Sequence, residues 1–193
     1  MNVGIYIYDD AEVLDFAGPY EVFAVASRLR KTGKKISVSL IGATGETVRA
    51  RNGFRVIPDC SIGDHPSLDV LIVPGGVHTA ELAKPQVIDW IRSESESAEL
   101  VASVCTGAFL LAEAGLLDGL TVTTHREDIP ELRLSYPSLE VEENVRWLRA
   151  GRIATSAGIS AGIDMSLALV SELFGETLAD LTARQMEYEW NHR

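Results

Sequence analysis

Cysteine is scarce in this 193-residue chain: Cys60 and Cys105 are the only two. That excludes a disulfide-dense scaffold, and the isolated pair reads as reduced thiols in a cytoplasmic protein, with one disulfide as the alternative. The four histidines form no set with metal-ligand spacing, so neither metal nor organic cofactor is expected. No apolar run approaches the ~18 residues of a membrane span. Residues 1–8, "MNVGIYIY", lack both the basic start and the apolar core of a signal peptide. Basic charge is also in deficit. A formal net charge of -11 excludes a general nucleic-acid binder, because phosphates would be repelled. The one dense basic run, "RLRKTGKK", reads as a solvated helix end and turn. Repeats, low-complexity tracts and linkers are missing too, which leaves a domain boundary nowhere to fall.

What is present is an alternation of short apolar runs with longer amphipathic ones, the pattern of an α/β fold. "NVGIYIY", "KISVSLIG", "DVLIVPGG" and "ELVASV" read as strands. "GPYEVFAVASRLR" reads as a helix with Pro19 in its first turn, where a missing N–H costs nothing. "ETVRARNGFRVIP" reads as a hairpin turning at "NG". "AELAKPQVIDWIRSESE" is a helix with its early proline in the first turn or at a break. "TVTTH" reads as a further strand, and "EVEENVRWLRAGRIATS" as a strand pair turning at "AG". "SAGIDMSLALVSELFG" and "ETLADLTARQMEYEW" read as the closing helices. The expected architecture is one three-layer α/β domain over residues 1–193 with a mostly parallel central sheet.

Within that pattern "SVCTGAFLLAEAG" places Cys105 between the strand "ELVASV" and a helix starting near Thr106 or Gly107. Ligands of open α/β sheets sit beyond the carboxyl ends of strands, and a residue on such a turn is thrust outward. A helix N-terminus under the sulfur would favour thiolate. A buried structural cysteine is the competing reading. No histidine flanks Cys105; His125, after "TVTT", is the one at another strand end, and it reads equally as a satisfied or surface histidine. Asp15, between Leu14 and Phe16, is either a partly desolvated acid/base or the N-cap of the helix near Pro19. Gly75 and Gly76 are either a turn or a pair of amides facing the sulfur. Cys60, in "PDCSIGDHP", is read as having no chemical role.

Together "LDFAGPYEVF", "LDVLIVPGG", "SVCTGAFLLAEAGLLDG", "TVTTH" and "SAGISAGIDMSLALV" resemble the ThiJ/PfpI superfamily, with its class I glutamine-amidotransferase-like, flavodoxin-like fold and nucleophile elbow. The resemblance implies Cys105 as nucleophile, Asp15 as its acid/base partner and Thr106 as a hydrogen-bonding neighbour. It also implies Gly75 and Gly76 as backbone donors, with Glu21, His125 and Ile159 as supporting or alternative partners. Protease-like members carry histidine after the nucleophile; Thr106 there points instead to the isonitrile hydratase branch. Arg126 stands where these branches often carry an aromatic residue. The implied activity is hydration of a small, largely apolar isonitrile to an N-substituted formamide, by a homodimer acting on a small molecule without membrane or nucleic acid. A sensing module like those of AraC-type regulators is the second implication, although the chain ends at Arg193 without a helix-turn-helix. A glyoxalase or deglycase activity, with Glu21 as partner, is the third.

Overall fold

The computed structural model describes residues 1–192, so Arg193, the last residue of the expected domain, lies outside the described residues. In chain order the elements are β1 (Asn2–Ile7), α1 (Val13–Leu29), β2 (Ser37–Gly42), β3 (Val48–Ala50), β4 (Phe54–Val56), β5 (Cys60–Ser61) and β6 (Val70–Val73). They continue with α2 (Thr79–Leu82), α3 (Pro85–Ser97), β7 (Leu100–Val104), α4 (Gly107–Glu113), β8 (Thr121–Val122), α5 (Ile129–Ser135) and β9 (Glu140–Val141). The last are β10 (Trp147–Ala150), β11 (Ile153–Ser156), α6 (Ala161–Phe174) and α7 (Glu176–Gln185).

Seven strands form the central sheet in the order β10-β11-β7-β6-β1-β2-β5, parallel except where β10 pairs antiparallel with β11. The inner strands β6 and β7 are buried at every residue, as a parallel sheet covered on both faces requires. α1, α6 and α7 pack together as one layer, and α2, α3 and α4 as the other. Because β1 lies between β2 and β6, the strand order reverses beside it, and the crevice at such a reversal is where ligands bind.

Several local expectations change. α1 begins at Val13, so Pro19 is its seventh residue and removes the bond that would close on the Asp15 carbonyl. The α2–α3 segment breaks at Lys84, with Pro85 opening α3. "TVTTH" contributes only β8, which pairs with β9 outside the main sheet. "PDCSIGDHP" contains the edge strand β5, and both cysteines are free thiols. The β3–β4 hairpin turns at Asn52 and Gly53, both with positive φ, as the "NG" signal requires. No helix among the described residues is long and apolar enough to cross a membrane.

Candidate active site

Four parallel strands deliver their carboxyl ends to one place: β1 leads to Asp15 on α1, β6 to Gly75 and Gly76, β7 to Cys105, and β11 to Ile159. Cys105 has φ +55, the left-handed region that costs a residue with a Cβ about 1–2 kcal/mol. Its backbone is pinned there. The Cys105 amide donates to the carbonyls of Ser156 (3.1 Å) and Ala157 (3.3 Å), and its carbonyl accepts from the Thr124 hydroxyl at 2.8 Å. Close helix approach completes the elbow: a Cβ on Gly107 would strike the Val73 backbone, and one on Gly162 would lie 2.8 Å from Val104 Cγ1. Ile159, a β-branched residue, is also held at φ +54, a strained conformation at the turn between β11 and α6.

Asp15 is fully buried in the first turn of α1. It is not the N-cap: that position is Glu12, which makes no side-chain cap. Its Oδ2 accepts the Gly75 amide at 3.1 Å, while Oδ1 has no hydrogen-bond partner of good geometry. Burial raises its pKa from the usual carboxylate range to about 7. The Gly75 amide pulls it down, the Glu12 charge pushes it up, and the Cys105 thiol and Ile159 amide pull more weakly downward.

The expectation of a thiol acidified by a helix N-terminus does not hold. Cys105 is 7% exposed, and its pKa is pushed up to about 12 by burial first and the Asp15 charge second. The Thr106 and Ile159 amides oppose this without reversing it. α4 has only seven residues, too little helix to outweigh burial and a facing carboxylate. Burial thus favours the neutral thiol, beside a carboxyl whose own pKa is raised to about 7.

Gly75 and Gly76 do not supply free amides. Gly75 N–H is engaged by Asp15, and Gly76 N–H donates to Thr106 Oγ1 at 2.9 Å. Thr106 Oγ1 in turn donates to the Gly76 carbonyl at 3.0 Å, so its hydroxyl clasps the glycine loop instead of the sulfur. Gly75 must be glycine because a Cβ would lie 2.5 Å from Thr106 N and 2.9 Å from Cys105 Cβ. The amides that favour a negative sulfur are those of Thr106 and Ile159.

Glu21 is excluded by helix geometry: it is exposed and ion-pairs with Arg28 at 3.4 Å. Six residues beyond Asp15 on α1, it has rotated away from the site. His125 is brought in, with Nδ1 3.0 Å from Asp128 Oδ2. It lines, with Cys105, Thr106 and Ile159, a cavity of about 380 Å³. Sequence reasoning missed Glu12, Arg51 and His78 on the same wall. His78, stacked on Phe109 at 4.3 Å, lies two residues after "VPGG", and that position after a strand end was the available signal. The wall mixes charged groups such as Glu12, Arg51 and Asp128 with the apolar Val77 and Ile159. Arg126 is exposed.

Residues 1–172 match the DJ-1/PfpI family. The chain is 35% identical to an isonitrile hydratase of Pseudomonas putida over 189 residues, covering 97% of this chain and 78% of that protein. It is 33% identical to the HTH-type transcriptional regulator CdhR of Pseudomonas aeruginosa over 173 residues, 90% of this chain but only 51% of the regulator. The crystal structure of a ThiJ/PfpI family protein from Pseudomonas syringae superposes with a TM-score of 0.86 at 24% identity, covering 98% of this chain and 76% of that one.

Proposed function

This chain belongs to the DJ-1/PfpI family, and from that premise we propose that it is a cysteine-dependent hydratase converting a small isonitrile into an N-substituted formamide. The observation that carries the reading is the pairing of a carboxyl titrating near neutrality with a thiol held on a strained elbow. The similarity to the P. putida isonitrile hydratase supports it.

In this reading the ionised Asp15 accepts the Cys105 proton as sulfur attacks the terminal isonitrile carbon. The protonated Asp15 then delivers that proton to the carbon, giving a thioimidate on Cys105. Asp15 next deprotonates a water molecule that adds to the thioimidate carbon, and passes the proton to nitrogen. Collapse of the adduct forms the formamide C=O and breaks the C–S bond, while the hydroxyl proton returns through Asp15 to sulfur. One water is consumed and no electrons change hands, so thiol, carboxyl and water suffice. The Thr106 and Ile159 amides stabilise the negative charge that develops on sulfur as its proton leaves. A carboxyl near pKa 7 suits both roles, since it is a competent base and a competent acid at neutral pH.

A cytoplasmic homodimer belongs to the same proposal. Leu14, Val77 and Ile159 are exposed apolar side chains, the last two on the cavity wall, and sedimentation of the purified chain tests the pairing. A sensing module is the second reading, favoured by the 33% identity to CdhR. The glyoxalase reading loses its distinguishing residue with Glu21 on the outer surface. Incubating Cys105→Ala with a simple isonitrile tests the proposal: formamide release should vanish while the circular dichroism of the fold is retained.

A further inference from the structure

One peptide group joins the acid/base carboxyl to a buried tyrosine on the neighbouring strand end. The Pro74–Gly75 peptide accepts a hydrogen bond from Tyr8 Oη on its carbonyl, at 3.3 Å, and donates from its Gly75 amide to Asp15 Oδ2, at 3.1 Å. Carbonyl and amide are two ends of one resonant unit, so donation to the oxygen polarises the N–H and strengthens its own donation. We propose that Tyr8 is a positioning residue for Asp15, its hydroxyl acting through the Pro74–Gly75 peptide to strengthen the amide that holds the ionised carboxylate. The inference rests on the reading of Asp15 as the proton carrier of the Cys105 site.

The surroundings leave this hydroxyl in the donor state. Tyr8 is 2% exposed, and burial holds its pKa well above the ordinary phenol value, with the charges of Asp15, Glu81 and Cys105 adding and Arg51 opposing. It stays protonated wherever Asp15 titrates. Around the carboxyl, Glu12 faces it from the residue before α1, Cys105 from the β7–α4 turn, and the Ile159 amide from the β11–α6 turn. The neighbour Tyr6 provides an internal comparison. Its ring stacks on Tyr8 with centroids 5.8 Å apart, but its hydroxyl donates to Glu81 at 2.7 Å, on a path that does not reach Asp15.

Carboxyl carbon-13 NMR of Asp15 across pH, together with the pH profile of Cys105 alkylation by iodoacetamide, tests the relay without requiring turnover. Tyr8→Phe should raise the Asp15 midpoint by about half a pH unit, the fraction of a charge-assisted bond that cooperativity through a neighbouring hydrogen bond supplies. Tyr6→Phe should leave the midpoint in place. If Tyr8→Phe fails to fold, 3,5-difluorotyrosine at position 8, a stronger donor, should lower the midpoint in the folded protein. A midpoint near 7 that none of these changes moves overturns the relay, as does an equal shift in Tyr6→Phe. A midpoint near 4 in the unaltered protein overturns the acid/base reading of Asp15 itself, and the relay with it.

Discussion

Asp15 and Cys105 are electrostatically coupled beyond the carboxyl ends of β1 and β7, with β6 between the two strands: the carboxylate charge raises the thiol pKa, while the thiol favours the ionised carboxylate. Burial acts on both in the same sense and is the largest cause for each. Removing either partner therefore changes the proton affinity of the other.

The first consequence is the pH profile of sulfur reactivity. Below pH 7 Asp15 is protonated and cannot accept the thiol proton, so alkylation of Cys105 should be slow and should rise through about pH 7 as the carboxyl ionises. A second rise should follow only near pH 12, where the thiol itself ionises. In Asp15→Asn the first rise should disappear. Iodoacetamide rates followed by mass spectrometry read both.

Stability should respond in the opposite sense to the usual carboxylate. A carboxyl whose folded pKa exceeds its unfolded value binds its proton more tightly in the native state. Its contribution is thus fully present below about pH 4 and is lost as pH rises to about 7. Asp15→Asn, which cannot ionise, should be more stable than the parent above pH 7, by at most about 4 kcal/mol for a three-unit difference. The gain should be gone at pH 4. Urea unfolding at the two pH values checks the sign.

Carboxylate identity separates the two enzymatic readings. Glu21→Gln removes only an exposed charge and a surface ion pair, and should change both turnover and stability by less than about 0.5 kcal/mol equivalent. Asp15→Asn should reduce formamide production by at least about a hundredfold, the usual loss for a general acid/base. Steady-state assays of the pair decide between the carboxylates.

Gly75→Ala probes the packing of the elbow. The new Cβ would meet Thr106 N at 2.5 Å and Cys105 Cβ at 2.9 Å, both backbone-borne positions with little freedom to yield. Destabilisation of about 1–3 kcal/mol is expected from overpacking, with loss of activity beyond what stability accounts for. Thermal melts alongside turnover measure the two separately.

The sequence made the strands, the hairpin at Asn52–Gly53 and the strand-to-helix placement of Cys105 legible, because each depends on local period and turn chemistry. Asp15 was legible as a desolvated carboxyl between Leu14 and Phe16 or as an N-cap, and the resemblance favoured the first. What stayed hidden depended on long-range pairing. That Gly75 and Gly76 are spent on Asp15 and Thr106 follows from sheet order, which no local pattern encodes. Helix α1 starting six residues before Pro19 turned Glu21 outward, and the proline signal misplaced that start. The upward shift of Cys105 was missed because a helix N-terminus is visible in sequence, whereas burial and a facing carboxylate are not. The left-handed Ile159 carries no sequence mark at all, since β-branched residues avoid that conformation.

Counting formamide released per chain, with a small isonitrile in large excess at pH 7.5, tests the central claim most directly. The account predicts many equivalents of formamide per Cys105 and none from Cys105→Ala. Modification that stops at one equivalent per chain, with no formamide released, would contradict it and leave a sensing role for the same cysteine.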